Sequence, residues 1–172
     1  MRDVWPKTRE QRDWFHKLGN ILDKLPKRLQ PRVKTALHEV MYAETRAQAR
    51  EAIARFATEY GPKHPKAVTT LEKDADVLLA FFDFPAEHWK HLRTSNVIES
   101  PFATVRLRRR VTKGAGSRTK GLLMAYKLLD MGQARWRRLD GAQQLPLVRA
   151  GILFVDGVQQ TRQGGKTKAR AA

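Results

Sequence analysis

The chain has 172 residues, no Cys, and a formal net charge of +17 from 34 basic and 17 acidic side chains. This length predicts one domain, with room for a smaller lobe, and 41% hydrophobic residues are enough to form a core. Disulfides and thiolate metal sites are excluded, and no apolar run approaches the roughly 18 residues of a membrane span, so we expect a soluble protein without a membrane partner.

The positive charge is concentrated in the second half of the chain. Residues 1–87 contain 16 basic and 13 acidic side chains, whereas residues 88–172 contain 18 basic and 4 acidic ones. An excess of this size on one side indicates that the second half faces a polyanion. The charge alone would also suit an anionic membrane, but the absence of a long apolar run argues against that alternative.

Helical periodicity dominates the first half. A short strand is predicted over residues 10–16, where polar and apolar side chains alternate loosely. Helices are then predicted over residues 18–25, 31–43, 45–60 and 65–82. Their predicted inward positions are Leu18, Ile21, Leu22, Leu25, Val33, Leu37, Val40, Met41, Ala49, Ala52, Ile53, Phe56, Val68, Leu71, Leu78, Leu79 and Phe82. This pattern predicts a helical bundle whose residues 18–82 fold without the rest of the chain.

Two further helices are predicted after a short element that contains His88 and His91. Asn96 followed by Glu99 has the spacing of an N-cap with an acid in the first turn, whereas Ser100 as cap before Pro101 is the alternative register. The first of these helices is predicted to end near Val111, before a Gly-rich turn. A second helix over residues 118–138 is predicted to bury Leu122, Leu123, Ala125, Tyr126, Leu129 and Met131. A short element over residues 143–155 and a disordered basic tail over residues 159–172 are predicted to follow.

A block of positive charge without any compensating acid lies in these last helices. Between residues 100 and 129 the chain has eight Lys or Arg side chains and no carboxylate. A solvated helix face normally mixes both signs, so this composition favours phosphate binding. The predicted DNA-binding residues are Arg106, Arg108, Arg109, Arg110, Lys113, Arg118 and Lys120. Trp136, within a run of arginines, is compatible either with base stacking or with a place in the core.

A single acid, Glu99, stands directly before this block. Taken alone, a Glu at this position is most simply a capping residue, but a carboxylate that holds a metal beside cations that hold DNA also describes a phosphodiester-cutting site. The two roles are compatible. The pairs Asp13 with His16 and His88 with His91 have spacings that zinc ligands can use. Without Cys, however, we interpret His16 as a strand-end residue that bonds to the core and Asp13 as its partner.

Five segments, in this order, closely resemble the C-terminal part of Mutator-family bacterial insertion-sequence transposases. They are residues 94–100, 102–108, 113–118, 135–139 and 151–157. The resemblance covers residues 1 to about 158 and implies a ribonuclease H-like domain with a DDE triad of acids, interrupted by a helical insertion. By this resemblance Glu99 is the last catalytic acid and a ligand of Mg²⁺, while Asp13 and His16 match an acid-or-Cys and His pair of the family.

The resemblance also implies how the chain is organised. Residues 1–17 would be a remnant of the ribonuclease H-like core with one edge strand, and residues 18–92 would be the helical insertion bundle. Residues 93–158 would be the C-terminal catalytic helices with the basic segment, and residues 159–172 would be the disordered tail. The predicted fold class is therefore mainly α. In the family, both catalytic aspartates of the triad lie upstream of the segment that residues 1–6 resemble. Asp3 comes too late in the pattern to be the second catalytic aspartate. We thus expect a truncated transposase that is inactive alone.

The intact family implied by this resemblance cuts and joins double-stranded DNA at transposon ends with two metal ions, in the bacterial cytoplasm at the nucleoid. One alternative is a non-catalytic DNA-binding module that associates with itself or with full-length transposase and inhibits it. Another alternative is a pseudogene product without function.

Overall fold

A computed structural model describes residues 9–160 of the chain, without the side chains of residues 96–98. The described part is mainly helical, as predicted, and its only sheet is a short antiparallel pair. The predictions for residues 1–8 and for most of the basic tail lie outside the described residues. The elements are α1 (Trp14–Leu22), α2 (Gln30–Met41), α3 (Arg46–Tyr60), α4 (Pro65–Glu72), α5 (Ala75–Leu78), α6 (Trp89–Leu92), α7 (Asn96–Val111), α8 (Arg118–Gln133), α9 (Leu145–Arg149), β1 (Phe154–Val155) and β2 (Val158–Gln159).

The strand predicted over residues 10–16 is wrong, because helix α1 begins inside that range. Asp13 caps the helix, and its Oδ1 accepts the backbone N–H of His16 at 2.7 Å. Trp14 is fully buried and donates its indole N–H to the Leu78 carbonyl at 2.9 Å, whereas the neighbouring Phe15 is 64% exposed. The short aromatic segment alternates by chance, and the cap together with the next helical turn determines the local structure.

Helices α1 to α5 form the predicted bundle. With the exception of Leu18 and Leu22, which are partly buried, every predicted inward residue of this region is buried in one core. The capping box of Thr45 and Gln48 fixes the start of α3. The helix predicted over residues 65–82 is divided into α4, α5 and a 3-10 turn at Ala80–Asp83. Residues 78–82 are all buried, and one continuous amphipathic helix cannot bury five consecutive side chains on a single face.

A buried ion pair holds α1 against the break between α4 and α5. The side chain of Lys17 is 1% exposed, and its Nζ donates to Asp74 Oδ2 at 2.5 Å. Arg12 Nε lies 3.3 Å from the same oxygen. Lys17 therefore belongs to the bundle core although it is a charged residue.

We expect a fragment of residues 9–95 to fold alone, with a helical circular dichroism spectrum and a cooperative thermal melt. The shorter fragment of residues 18–82 lacks Trp14 and Lys17, and loss of a buried Trp side chain alone costs about 3–5 kcal/mol in the free energy of unfolding. Its melting temperature should therefore be far lower. Equal melting temperatures for the two fragments would show that α1 contributes little to the bundle.

Helix α7 starts in neither of the two predicted registers. It begins at Asn96, directly after Ser95, and contains Pro101 in its interior. Ser95 does not cap the helix through its side chain, because its hydroxyl and its N–H are engaged by acidic side chains instead. These contacts set the start of the helix ahead of the proline, which leaves one carbonyl without its usual helical donor.

Helix α8 packs mainly against α7, and the burial predicted for it is wrong, because none of the six predicted positions is buried and only Ala125 and Leu129 are partly covered. The exposed side chains are Leu122, Leu123, Tyr126 and Met131, each at least 62% accessible. The helix also ends at Gln133 rather than at residue 138. Within residues 9–160, the hairpin of α7 and α8 thus presents an apolar surface that no other element covers.

The β1–β2 hairpin docks on the bundle. Asp156 Oδ1 accepts the first backbone N–H of α3, that of Arg46, at 2.7 Å. Gly157 exchanges backbone hydrogen bonds with Phe82 and Ala86, and a Cβ at this glycine would lie 2.6 Å from the Cβ of Ala86. Only a residue without a side chain allows this close approach.

Candidate functional site

Glu99 lies in the first turn of α7 with its side chain 43% exposed. Its Oε1 accepts the hydroxyl of Ser95 at 2.7 Å and lies 3.7 Å from Nε2 of His16. The carboxylate is therefore directed toward the start of α1, which is more than eighty residues earlier in the chain. The fold brings the two motifs together.

Asp13 joins the two helix starts. Its Oδ1 accepts both the backbone N–H and Nδ1–H of His16, and its Oδ2 accepts the backbone N–H of Ser95 at 2.5 Å. Partial burial raises the pKa of the Asp13 carboxyl, but the hydrogen bonds from His16 and Ser95 outweigh burial and hold that pKa below its ordinary value. Asp13 is thus an ionised group whose two oxygens are already occupied by donors.

The hydroxyl of Ser95 connects the two carboxylates. Its Oγ lies 2.7 Å from Glu99 Oε1 and 3.0 Å from Asp13 Oδ2, and its single proton can serve only one of them at a time. The predicted pairing of Asp13 with His16 is confirmed, but His16 lies in the first turn of α1 rather than at the end of a strand, and its side chain is 60% exposed. No sequence spacing indicated the role of Ser95, because Asp13, the carboxylate that it joins to Glu99, is distant in the chain.

The donors present do not complete a site for a divalent metal ion. Among residues 9–160, no three His, Cys, Asp or Glu side chains converge in a way that could hold a metal. Both oxygens of Asp13 are taken, so Glu99 is the one carboxylate of this cluster that could serve as a ligand. Mg²⁺ prefers several oxygen ligands in an octahedral arrangement, which a single carboxylate does not provide.

The basic residues gather at the opposite end of α7. Helix α7 runs into a turn with positive φ at Lys113 (54°), Gly114 (108°) and Gly116 (77°). Ser117 then caps α8, and its Oγ accepts the N–H of Lys120 at 3.2 Å. The seven predicted DNA-binding side chains are all exposed, and none forms an ion pair within the described residues. We call them the basic turn. Arg106, Arg109, Arg110, Lys113 and Gly114 line an open concavity of about 410 Å³.

The basic turn does not surround Glu99, although the two are adjacent in the sequence. Twelve residues separate Glu99 from Val111, which corresponds to roughly 18 Å along a helix at about 1.5 Å per residue. The expectation that this block of cations directly flanks the carboxylate is therefore wrong for most of the block. A DNA strand that contacts both would have to follow the length of α7.

The remaining candidates have structural surroundings. His88 Nε2 donates to the Gly141 carbonyl at 2.9 Å, and His91 Nε2 accepts the N–H of Asp140 at 3.2 Å, so these nitrogens are occupied. Trp136 is 54% exposed, which removes it from the core of the described region and leaves stacking open. Among residues 9–160, no helix combines the length and apolar character needed to cross a membrane.

Comparison with known proteins gives a consistent picture. A family described as "Transposase, Mutator family" matches residues 1–118. The transposase for insertion sequence element IS6120 of Mycolicibacterium smegmatis is 52% identical over 157 residues, which cover 91% of this chain and 49% of that protein. The transposase for insertion sequence element IST2 of Acidithiobacillus ferrooxidans is 46% identical over 156 residues, which cover 91% of this chain and 53% of that protein. The chain thus spans about half the length of these curated relatives.

Proposed function

The chain belongs to the Mutator family of transposases, and we propose that it binds the backbone of double-stranded DNA through the basic turn. The observation that carries this proposal is the set of seven exposed cations that have no acidic partner within residues 9–160. Phosphates are the natural partners of such a set, because cations that contact phosphate release counterions from DNA. Sequence preference is expected to be small.

Glu99 is proposed as the carboxylate that this chain contributes to a Mg²⁺-dependent DDE site of a ribonuclease H-like domain. Support comes from its half-exposed position and from the network of Asp13, His16 and Ser95 that holds it. Residues 18–92 would then be the helical insertion and residues 93–158 the catalytic helices. Since the described residues do not complete the metal site, the other ligands would come from elsewhere in the family's protein.

We propose that the exposed apolar side chains of α8 contact the other half of a Mutator-family transposase, the half that this chain does not match in its relatives. Leu122, Leu123, Tyr126 and Met131 are each more than 60% accessible, which is unusual for side chains of this size on one helix. A second copy of the chain could cover the same surface, which corresponds to the predicted self-association.

DNA binding by the basic turn can be tested with the triple variant Arg108→Ala, Arg109→Ala, Arg110→Ala. Its affinity for a random-sequence duplex should fall, and the slope of log K against log salt should decrease by about 2 to 3, because each phosphate contact contributes about 0.9 to the slope. Fluorescence anisotropy over a salt series measures both quantities.

A matched triple, Lys27→Ala, Arg28→Ala, Lys34→Ala, removes the same charge from exposed positions on the bundle. This control should change the slope much less than the α7 triple. Equal slopes for the unaltered chain and the α7 triple would place the DNA contact elsewhere.

A further inference from the structure

Arg93 is a cation with an unusual environment. Its guanidinium carbon lies 4.6 Å from the ring centre of Phe81, 5.2 Å from that of Tyr42 and 5.3 Å from that of Trp89. Within residues 9–160, its Nε is buried without a hydrogen-bond partner, and no carboxylate pairs with the guanidinium. Burial lowers the pKa of Arg93, although an Arg side chain stays protonated at neutral pH.

Aromatic rings satisfy only part of what a guanidinium can bind. They attract the planar face of the cation, whereas its five N–H groups point outward in the plane and require oxygen acceptors. The planar fork matches two oxygens of one phosphate or carboxylate. A guanidinium that the rings hold in place and that lacks an acceptor is therefore preorganised for an anion.

The position of Arg93 indicates which anion this would be. Its carbonyl accepts the N–H of Trp14 at 2.8 Å, and Ser95, two residues later, binds Asp13 and Glu99. The Arg93 backbone is thus part of the connection that holds Glu99. Tyr42, which lies over the guanidinium, is 59% exposed, so this surface is open to a large ligand. The nearest member of the basic turn, Arg106, is roughly 10 Å beyond Glu99 along α7, so that segment places no cation directly beside Glu99.

We propose that Arg93, held by the rings of Tyr42, Phe81 and Trp89, binds one backbone phosphate of DNA at the Glu99 end of α7. This inference rests on the proposed DNA binding and adds a second contact on the helical bundle. A strand that runs along α7 would then be held at both ends, by the basic turn at one end and by Arg93, which precedes the start of α7, at the other.

The test compares the unaltered full chain with Arg93→Met and Arg93→Lys. Met retains an apolar stem against the rings but removes the charge, so the slope of log K against log salt should decrease by about 0.9 for duplex DNA. Lys retains one charge, so Arg93→Lys should keep the slope. A purely structural role would change the melting temperature without changing the slope, and an unchanged slope for folded Arg93→Met would overturn the inference.

If Arg93→Met does not fold, a measurement on the unaltered chain tests whether Arg93 binds a DNA phosphate. The Nε–H signal of Arg93 in a nitrogen–proton spectrum, assigned by its absence in Arg93→Lys, should shift on titration with the duplex. No shift at saturating DNA would overturn the inference. If the α7 triple variant loses slope while Arg93 shows no response, the proposed function stands and this inference fails. If the unaltered chain does not bind duplex at all, both fail.

Discussion

Replacing Glu99 by Gln is expected to abolish DNA cleavage and joining in a chimera in which this chain replaces the matching half of the Mycolicibacterium smegmatis relative. Gln keeps the shape of the side chain and its contact with Ser95, but it loses the charge with which a carboxylate would bind a divalent ion. The rate should fall at least a hundredfold, since metal-dependent stabilisation contributes several kcal/mol and about 1.4 kcal/mol corresponds to a factor of ten. A strand-transfer assay with transposon-end DNA measures the loss.

Duplex binding should be unaffected by Glu99→Gln, because the basic turn lies at the other end of α7. Glu72→Gln, an exposed acid on the bundle, is the matched control and should retain full activity. Activity that survives Glu99→Gln would remove this residue from the catalytic role.

The chain alone is expected neither to cut nor to join DNA, because residues 9–160 do not complete a metal site. Protection of α8 from hydrogen exchange in the chimera would show that its apolar face is covered there.

Replacing Asp74 by Ala is expected to lower the free energy of unfolding by about 3–5 kcal/mol, because it leaves the ammonium of Lys17 buried without a partner. Lys17→Met should cost less. Arg12 remains 3.3 Å from Asp74 in that variant, and the Met side chain fills most of the volume of the Lys stem. Urea denaturation followed by circular dichroism gives both values, and an equal loss in the two variants would contradict this asymmetry.

The same pair predicts a dependence of stability on pH. The hydrogen bond from Lys17 lowers the pKa of Asp74, and the charges of Lys17 and Arg12 add to this effect against the opposing effect of burial. A carboxyl whose pKa is lower in the folded state stabilises the fold above its unfolded pKa of about 3.9 and loses that contribution as the pH falls through the folded value. The stability difference between the unaltered chain and Asp74→Ala should therefore be full at pH 7 and shrink on acidification below about pH 4. A constant difference would show that the charge of Asp74 is not its source.

The sequence predicted the helical bundle well because its information is local. Val33, Leu37 and Val40 recur at the helical period, and a stripe with this period can be buried only against other such stripes. Thr45 and Gln48, which frame the start of α3, act within a single turn. Phosphate binding by the basic turn was predicted from composition alone, since a basic block without acids favours an anionic partner however the helices pack. The linked motifs around Glu99 predicted the family, which the comparisons confirm.

Local signals failed where a distant group decided the outcome. The segment around Trp14 was predicted to be a strand, because the local pattern does not show the contact with Leu78 that buries Trp14. The start of α7 was misplaced because Ser95 is hydrogen-bonded to Asp13, which caps another helix. Side chains on α8 have the apolar pattern of a buried helix, yet whether such a face is covered depends on what packs against it and not on the pattern.

The sequence by itself determined that this chain is a helical, strongly basic member of the Mutator family, because periodicity, composition and motif order are properties of neighbouring residues. Only the tertiary structure decided that Asp13, His16, Ser95 and Glu99 meet at two helix starts, and that the guanidinium of Arg93 lies among aromatic rings without an acidic partner in the described region. Contacts between residues tens of positions apart depend on how the helices pack. Hydrogen bonds of about 3 Å between such residues form only in that packing, so no regular spacing along the chain predicts them.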